Sequence, residues 1–300
     1  MQWELMEVNN LVTICSVRNI AVRNSNGILG KHINMEIHTG DIIGLISEND
    51  AADKVLQSVC GFYKPRAGKI WYAHSLKSGK SGVSTKVQYV SDDIICYRNL
   101  TVEEFLVGAS ITAGENAARE QTRLCAQFGI DIKKQLLDMT FEQNRLVAYI
   151  LALSMEPELI LINKPSSMLS NNAFLMVCKE LVEFHNKGGA IVMADESFEK
   201  MKFPCGDYHF IRPDDVKSFK RKSLPRPGKV VSLIGGEIHP DDEGKCQLLY
   251  GSRRLTKFVC HEHDRDNLIV MIYRTGCRDF SIENLTMEEE IYSDFSRWTE

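Results

Sequence analysis

With 300 residues, 44% of them hydrophobic, the chain can bury one large core, or one full domain beside a smaller one. A formal net charge of −4, spread without a basic block, gives no electrostatic footprint for nucleic acid and no polybasic membrane anchor. No run of about 18 uncharged apolar residues occurs, and the opening MQWELMEVNN carries acidic groups where a leader would carry positive ones; a cytoplasmic chain is expected.

In chain order, Leu11 to Val22 and Ile28 to Ile37 read as two β segments, so an antiparallel hairpin is expected. Asp41-Ile42-Ile43-Gly44-Leu45-Ile46 is a short apolar run of the kind a buried parallel strand shows, and Ala51 to Gly61 reads as a helix ending in glycine. Lys69 to Tyr72 and Lys86 to Val90 are further short strands around a Ser/Gly-rich turn, Ser75 to Ser84. Thr101, as N-cap, and Glu104 form a capping box that opens a helix, and a mostly helical stretch runs to about Ser154. Glu158 to Asn163 is then a second buried strand, Asn172 to Asn186 a helix, and Ala190 to Ala194 a third buried strand. This alternation predicts an α/β parallel sheet covered on both faces.

Nine cysteines, an odd number without a C-x-x-C pair, read as reduced thiols used as small core residues. Cys260-His261-Glu262-His263 is the one metal-like cluster. Close ligands without a distant partner make a poor site, so an ordinary exposed strand and no metal are expected there.

Residues Gly44 to Leu56, GLISENDAADKVL, stand between strand and helix, where a phosphate-binding loop would stand. A G-x-x-x-x-G-K-[ST] loop needs glycines to close around an anion, a lysine for the outer phosphates and a hydroxyl for magnesium. Here Ser47, Asp50 and Ala52 take the glycine or small positions, Asn49 lies between them, Asp53 takes the lysine place and Lys54 the hydroxyl place. Sliding the register by one restores the lysine as Lys54 but leaves Glu48, Asp53 and Val55 at the glycine and hydroxyl places. Neither register gives a phosphate cradle.

Over residues 10–215 the order of elements and several fragments resemble an ATP-binding cassette, the nucleotide-binding unit of ABC transporters. Gly40 to Ile46 resembles the strand entering that family's phosphate loop, and Asn99-Leu100-Thr101-Val102-Glu103-Glu104 the segment after its glutamine loop. Gln143 to Pro157 resembles the signature helix, and Leu159 to Leu169, LILINKPSSML, the second nucleotide motif. The resemblance implies a P-loop NTPase fold of the ABC type, with an antiparallel β subdomain and a helical subdomain. It also implies where catalytic groups would stand. At the magnesium-ligating aspartate this chain has Asn163, and at the water-polarising glutamate Lys164. A neutral amide gives a cation no charge compensation, and an ammonium is no base while protonated. The γ-phosphate-sensing glutamine aligns with Asp92 and the switch histidine with Asp195. The signature pentapeptide reads Met139-Thr140-Phe141-Glu142-Gln143, with bulk at its glycines, and no aromatic for the adenine stands near Val22. Since phosphoryl transfer depends on positioned charge, no intact catalytic residue, no resident cofactor and, at most, weakened ATP/Mg2+ binding are expected. An internal ion-pair network of Asp53, Lys164 and Asp195 is expected in the empty phosphate place.

The C-terminal third repeats the pattern. Pro227-Gly228-Lys229-Val230-Val231-Ser232-Leu233-Ile234-Gly235 parallels 39–47, Gly244-Lys245 and the apolar residues after it echo 68–72, and Ile282 to Glu289 parallels 97–104, with no phosphate-loop helix between. The expected organisation is a degenerate cassette over 1–213, a linker over 214–226 and a small β-rich truncated second cassette repeat over 227–300; an unrelated small β domain is the alternative. Tandem cassettes and Ala190-Ile191-Val192-Met193 with Glu196 to Glu199 resemble ATPase subunits of ribose and galactose importers. The implied function is a sugar-importer-like ABC subunit that does not hydrolyse ATP, partnered by an active cassette or a membrane permease, and peripheral to the membrane through that permease only. A regulatory or scaffold protein outside transport and an atypical active ATPase are the alternatives.

Overall fold

The structure, a computed structural model, describes residues 12–73, 77–78, 82–83, 86–95, 97, 99–111, 113–201, 205–220, 228–234, 246–251, 255–261 and 279–284. The chain divides into two compact units, Met1–Arg221 and Lys222–Glu300. In the first unit the order is β1 (Thr13–Asn24), β2 (Gly27–His38), β3 (Ile42–Ile46), α1 (Ala51–Val59), β4 (Ala67–Tyr72), β5 (Lys77–Ser78), β6 (Gly82–Val83), β7 (Val87–Val90), α2 (Val102–Ala109), α3 (Gly114–Phe128), α4 (Phe141–Ser154), β8 (Leu159–Asn163), α5 (Asn171–Asn186), β9 (Ala190–Asp195), α6 (Phe198–Met201), β10 (Asp207–Ile211) and β11 (Val216–Lys220).

The expected hairpin forms: β1 pairs antiparallel with β2, and with β4 on its other side. The turn is set by Asn24, whose side-chain oxygen accepts from the Asn26 amide at 2.9 Å. Along β1, Ile14, Val17, Ile20 and Val22 point into the core. Gly68 serves this small sheet sterically, because a Cβ there would lie 2.4 Å from the Asn19 carbonyl oxygen, and its φ is +82°.

The central sheet has the order β11-β10-β3-β9-β8-β7, in which β10, β3, β9, β8 and β7 run parallel and β11 pairs antiparallel at the edge. Leu159–Asn163 and Ala190–Asp195 are buried at every position, as expected of central strands covered on both faces. Helix α1 turns Ala51, Ala52, Val55, Leu56 and Val59 inward, an apolar stripe at helical spacing that covers one face. The main apolar core lies between the β1–β2 hairpin, α1 and one face of this sheet, each fully buried large aliphatic side chain in it contributing about 1.5–3 kcal/mol.

The expected capping box is present at α2, where Thr101 Oγ1 accepts from the Glu104 amide at 3.2 Å and a Glu104 carboxylate oxygen accepts from the Thr101 amide at 2.8 Å. Helix α1 ends at Val59, with Gly61 in the left-handed region at φ +84° just beyond it. The expected linker differs from the structure. Val216–Lys220 is an edge strand paired residue for residue with β10, because its backbone continues the antiparallel ladder from Ile211 to Asp207; the break between units falls after Arg221.

The second unit is β-rich, with β12 (Gly228–Ile234), β13 (Cys246–Gly251), β14 (Leu255–His261) and β15 (Asp279–Asn284) in a four-stranded antiparallel sheet of order β13-β14-β12-β15. Val231 and Leu233 of β12 are buried. The segment matched to β3 in sequence thus lies between two antiparallel neighbours, whereas β3 lies between two parallel ones. Of the metal-like cluster, Cys260 and His261 end β14, and Glu262 and His263 lie outside the described residues. The repeated segments past Asn284 lie outside them as well. Among the described residues no cluster of metal-ligating side chains occurs, and no helix is long and apolar enough to cross a membrane. Cys15, Cys60, Cys125, Cys178 and Cys205 take part in no disulfide.

Candidate functional site

Parallel strands deliver their carboxyl ends to one edge of the sheet, which is where ligands of open α/β sheets bind. Ser47 follows β3, Asp92 follows β7, Asn163 ends β8 and Asp195 ends β9. The pairing aligns them, with Ile46 opposite Asp195 and Asn163 opposite Ala194. They line a cavity of about 120 Å³ together with Glu48, Asn49, Asp50, Ala52, Asp53, Lys164 and Glu196. The positions expected from the phosphate-loop comparison and those expected from the catalytic comparison therefore meet at one place, apart from Lys54 and Val55. Val55 is buried in the core beneath α1. Lys54 points along the helix, donating to Gln57 Oε1 at 2.8 Å and lying 5.4 Å from the centre of the Tyr63 ring.

The first amides of a helix are free donors that commonly hold phosphate. In α1 they are engaged by the chain's own side chains. Ser47 Oγ accepts from the Ala52 amide at 3.0 Å, and Asn49 Oδ1 accepts from the Ala51 amide at 2.8 Å. Ser47 is itself buried and donates its hydroxyl to the Asn49 carbonyl at 2.5 Å. Asp50 stands at the N-cap position with no side-chain capping bond.

Asp53 is held from two sides. Tyr89 of β7 donates to Asp53 Oδ1 at 2.5 Å, and Gln57 Nε2 donates to Asp53 Oδ2 at 2.7 Å. Burial pushes the Asp53 carboxyl above its ordinary value, against the Tyr89 hydrogen bond and the Lys54 charge, which favour ionisation. Burial and the same carboxylate push the Tyr89 phenol up, so it stays a donor.

Lys164 follows β8 with φ +47°, a conformation uncommon for a side chain of this size. Its amide donates to the Ala194 carbonyl at 2.8 Å, and its ammonium lies 3.5 Å from Asp92 Oδ2 and 3.2 Å from Glu196 Oε1. Burial works against the Lys164 charge, but the Glu196 and Asp92 carboxylates outweigh it and raise its pKa. Hydrogen bonds from Lys200, 2.5 Å away, and from Lys164 pull the exposed Glu196 carboxyl below its ordinary value. The expected network of Asp53, Lys164 and Asp195 is therefore corrected. Lys164 pairs with Asp92 and Glu196, because its backbone at the end of β8 aims the side chain toward the loops after β7 and β9, while Asp53 is taken up by Tyr89 and Gln57. Asp195, 6% exposed, accepts from the Glu196 amide at 2.7 Å, and burial raises its pKa.

Asn163, also buried, donates its side-chain amide to Asp92 Oδ1 at 2.7 Å. Beneath it Arg145 of α4, 2% exposed, donates to the Asn163 and Lys164 carbonyls at 2.6 and 3.1 Å and sits 5.2 Å from the Tyr149 ring centre. Met139, Thr140, Phe141, Glu142 and Gln143 lie apart from the cavity, at the start of α4. There Thr140 and Gln143 form a capping box, Phe141 is exposed and Glu142 accepts from the Ser170 amide at 2.6 Å. The four-residue spacing of Asp53 and Gln57 in α1 was a signal that sequence reasoning missed, whereas nothing in the sequence pointed to Tyr89 as a partner of Asp53. Glu196 carried a signal in its helical spacing to Lys200.

No family model matches the chain. It is 24% identical over 221 residues to the ribose import ATP-binding protein RbsA 3 of Rhizobium etli, covering 69% of this chain and 43% of that protein. It is 26% identical over 229 residues to the arabinose import ATP-binding protein AraG 1 of Burkholderia ambifaria, covering 69% and 44%. The chain thus spans less than half the length of these curated relatives. A solved ATP-binding subunit of an ABC transporter superposes with a TM-score of 0.63 at 17% identity, covering 71% of this chain and 92% of its own. Over about 71% of its length the chain thus has the fold of ABC transporter ATP-binding subunits, and in sequence it is similar to ribose and arabinose import ATP-binding proteins.

Proposed function

We propose that this chain is a sugar-importer-like ABC subunit whose cassette does not hydrolyse ATP and which acts as the partner of an active cassette or of a membrane permease. The observation that carries the reading is the occupation of the phosphate place by the chain itself: Asp53 bonded to Tyr89 where a lysine would stand, and the first amides of α1 capped by Ser47 and Asn49. A triphosphate would meet Asp53, Asp92, Asp195 and Glu196 in that cavity, and the one ammonium lining it, Lys164, is already shared between two carboxylates. Each carboxylate near an anion costs binding energy, and none replaces the charge compensation that phosphoryl transfer needs. Asn163 and Lys164 supply neither a charged magnesium ligand nor a base at neutral pH.

The partner role is supported by apolar side chains exposed around the loop after β7 and along α2 and its end. Ile94, Tyr97, Val107 and Ile111 are 44%, 56%, 54% and 82% exposed. The sugar-importer part of the reading is supported by its similarity to proteins named for ribose and arabinose import, and a permease would bring this chain to the membrane surface. The test is to titrate the purified chain with Mg-ATP while following heat and phosphate release. The reading expects neither saturable micromolar binding nor turnover; magnesium-dependent turnover overturns it.

A further inference from the structure

Asp92 belongs at once to the cavity and to the loop that leaves it. One carboxylate oxygen accepts from the buried Asn163 amide at 2.7 Å, and the other lies 3.5 Å from the Lys164 ammonium. Three residues on, Ile95 is bonded through both of its backbone groups to one buried side chain: its amide donates to Asn144 Oδ1 at 2.7 Å, and its carbonyl accepts from Asn144 Nδ2 at 2.8 Å. Asn144 is 3% exposed and sits on α4, one residue before Arg145, which in turn grips the Asn163 and Lys164 carbonyls. Ser91 Oγ, just before the first anchor, accepts from the Asp93 amide at 3.1 Å, and between the anchors Ile94 turns 44% of its surface to solvent.

We infer that residues 92–95 are latched in one position by the chain's own side chains, with Asn163 and Lys164 acting as a built-in ligand for Asp92, so that the exposed Ile94 is presented without any bound nucleotide. Any molecule entering the cavity to move this loop must first take Asp92 from both of its partners. The ends of β8 and α4 that hold the latch are buried and cross-bonded, so the loop inherits their rigidity. The inference concerns the position of the loop and stands apart from whether the cassette turns over ATP.

Amide hydrogen exchange of the full chain tests it at Ile95, with Ile162 and Ile191 as reporters of the intact sheet. In the parent, exchange at Ile95 is expected to be slow and unchanged by saturating Mg-ATP or by inorganic phosphate. Asp92→Ala is expected to speed Ile95 exchange by about tenfold, the loss of a charge-assisted contact, with the sheet reporters unchanged. Should Asp92→Ala disturb the sheet reporters, Lys164→Met, at a half-exposed side chain, decides the matter by a smaller acceleration confined to 92–95. Fast exchange in the parent, slowing by Mg-ATP, or no acceleration in the variants overturns the latch. Turnover with a slow, nucleotide-insensitive Ile95 would overturn the proposed function and leave the latch standing.

Discussion

The Tyr89 hydroxyl donates a 2.5 Å hydrogen bond to Asp53 Oδ1, tying the first turn of α1 to strand β7 across the place where a nucleotide phosphate would lie. The acceptor is a half-buried carboxylate whose pKa burial has raised, so the contact joins a neutral donor to a charge kept partly out of water.

That cost gives a pH signature. Below 3.8, the ordinary aspartate value, Asp53 is protonated in folded and unfolded chains alike. As pH rises from there through the raised folded value, the unfolded chain gives up its proton first, and the folded chain loses stability relative to it. Asp53→Asn cannot ionise and is expected to gain stability relative to the parent between about pH 4 and about pH 8. Urea midpoints of both proteins at the two ends measure it; a difference independent of pH would show that Asp53 is not burdened by its charge.

Lys164 separates the Asp92 and Glu196 carboxylates. Lys164→Glu gathers like charge at a site only partly buried, and a loss of about 1 kcal/mol at low salt, shrinking at high salt, is expected. Thermal unfolding at both salt concentrations checks this. An unchanged midpoint at low salt would remove Lys164 from any account of how the cavity is held.

Restoring the cradle separates binding from catalysis. The combined change Ser47→Gly, Asp50→Gly, Ala52→Gly, Asp53→Lys and Lys54→Ser frees the amide at position 52, leaves Asn49 on that of Ala51, and returns a cation to the phosphate place. Saturable nucleotide binding is expected without phosphate release, because Asn163 and Lys164 remain. Fluorescent-nucleotide titration with a parallel phosphate assay reads both, and turnover by this variant would show that the end of β8 is not limiting.

Gly44 is held by packing. A Cβ at this position would lie 2.7 Å from the Tyr208 ring and 2.9 Å from Met201 Sδ. Gly44→Ala should cost about 1–3 kcal/mol by overpacking, visible as a lower Tm. Gly40→Ala meets no neighbour within 4 Å, but at φ +74° it is penalised by backbone strain alone.

Most of the fold is legible residue by residue. The runs Ile42–Ile46, Leu159–Asn163 and Ala190–Asp195 have no polar face to turn to water, so each had to be a covered strand. Thr101 and Glu104 announce their helix through a local bond that needs no tertiary partner. Val216–Lys220, by contrast, lies in a Lys- and Ser-rich stretch that reads as a linker, and only β10 beside it supplies the ladder that makes it a strand. The second unit shows the same limit, since the likeness of Gly228–Ile234 to β3 says nothing about which strands flank it.

By itself the sequence determined which chemistry stands at each position of the cavity: aspartate for lysine, asparagine for aspartate, lysine for glutamate. Those identities follow from alignment along the chain. The tertiary structure alone decided who pairs with whom. Asp53 faces Tyr89 rather than Lys164, and Lys164 faces Asp92 and Glu196, because side-chain direction is set by the left-handed backbone after β8 and by the order of the parallel strands. Pairing between charges far apart in sequence depends on distances of a few ångströms, and only the packed sheet fixes those.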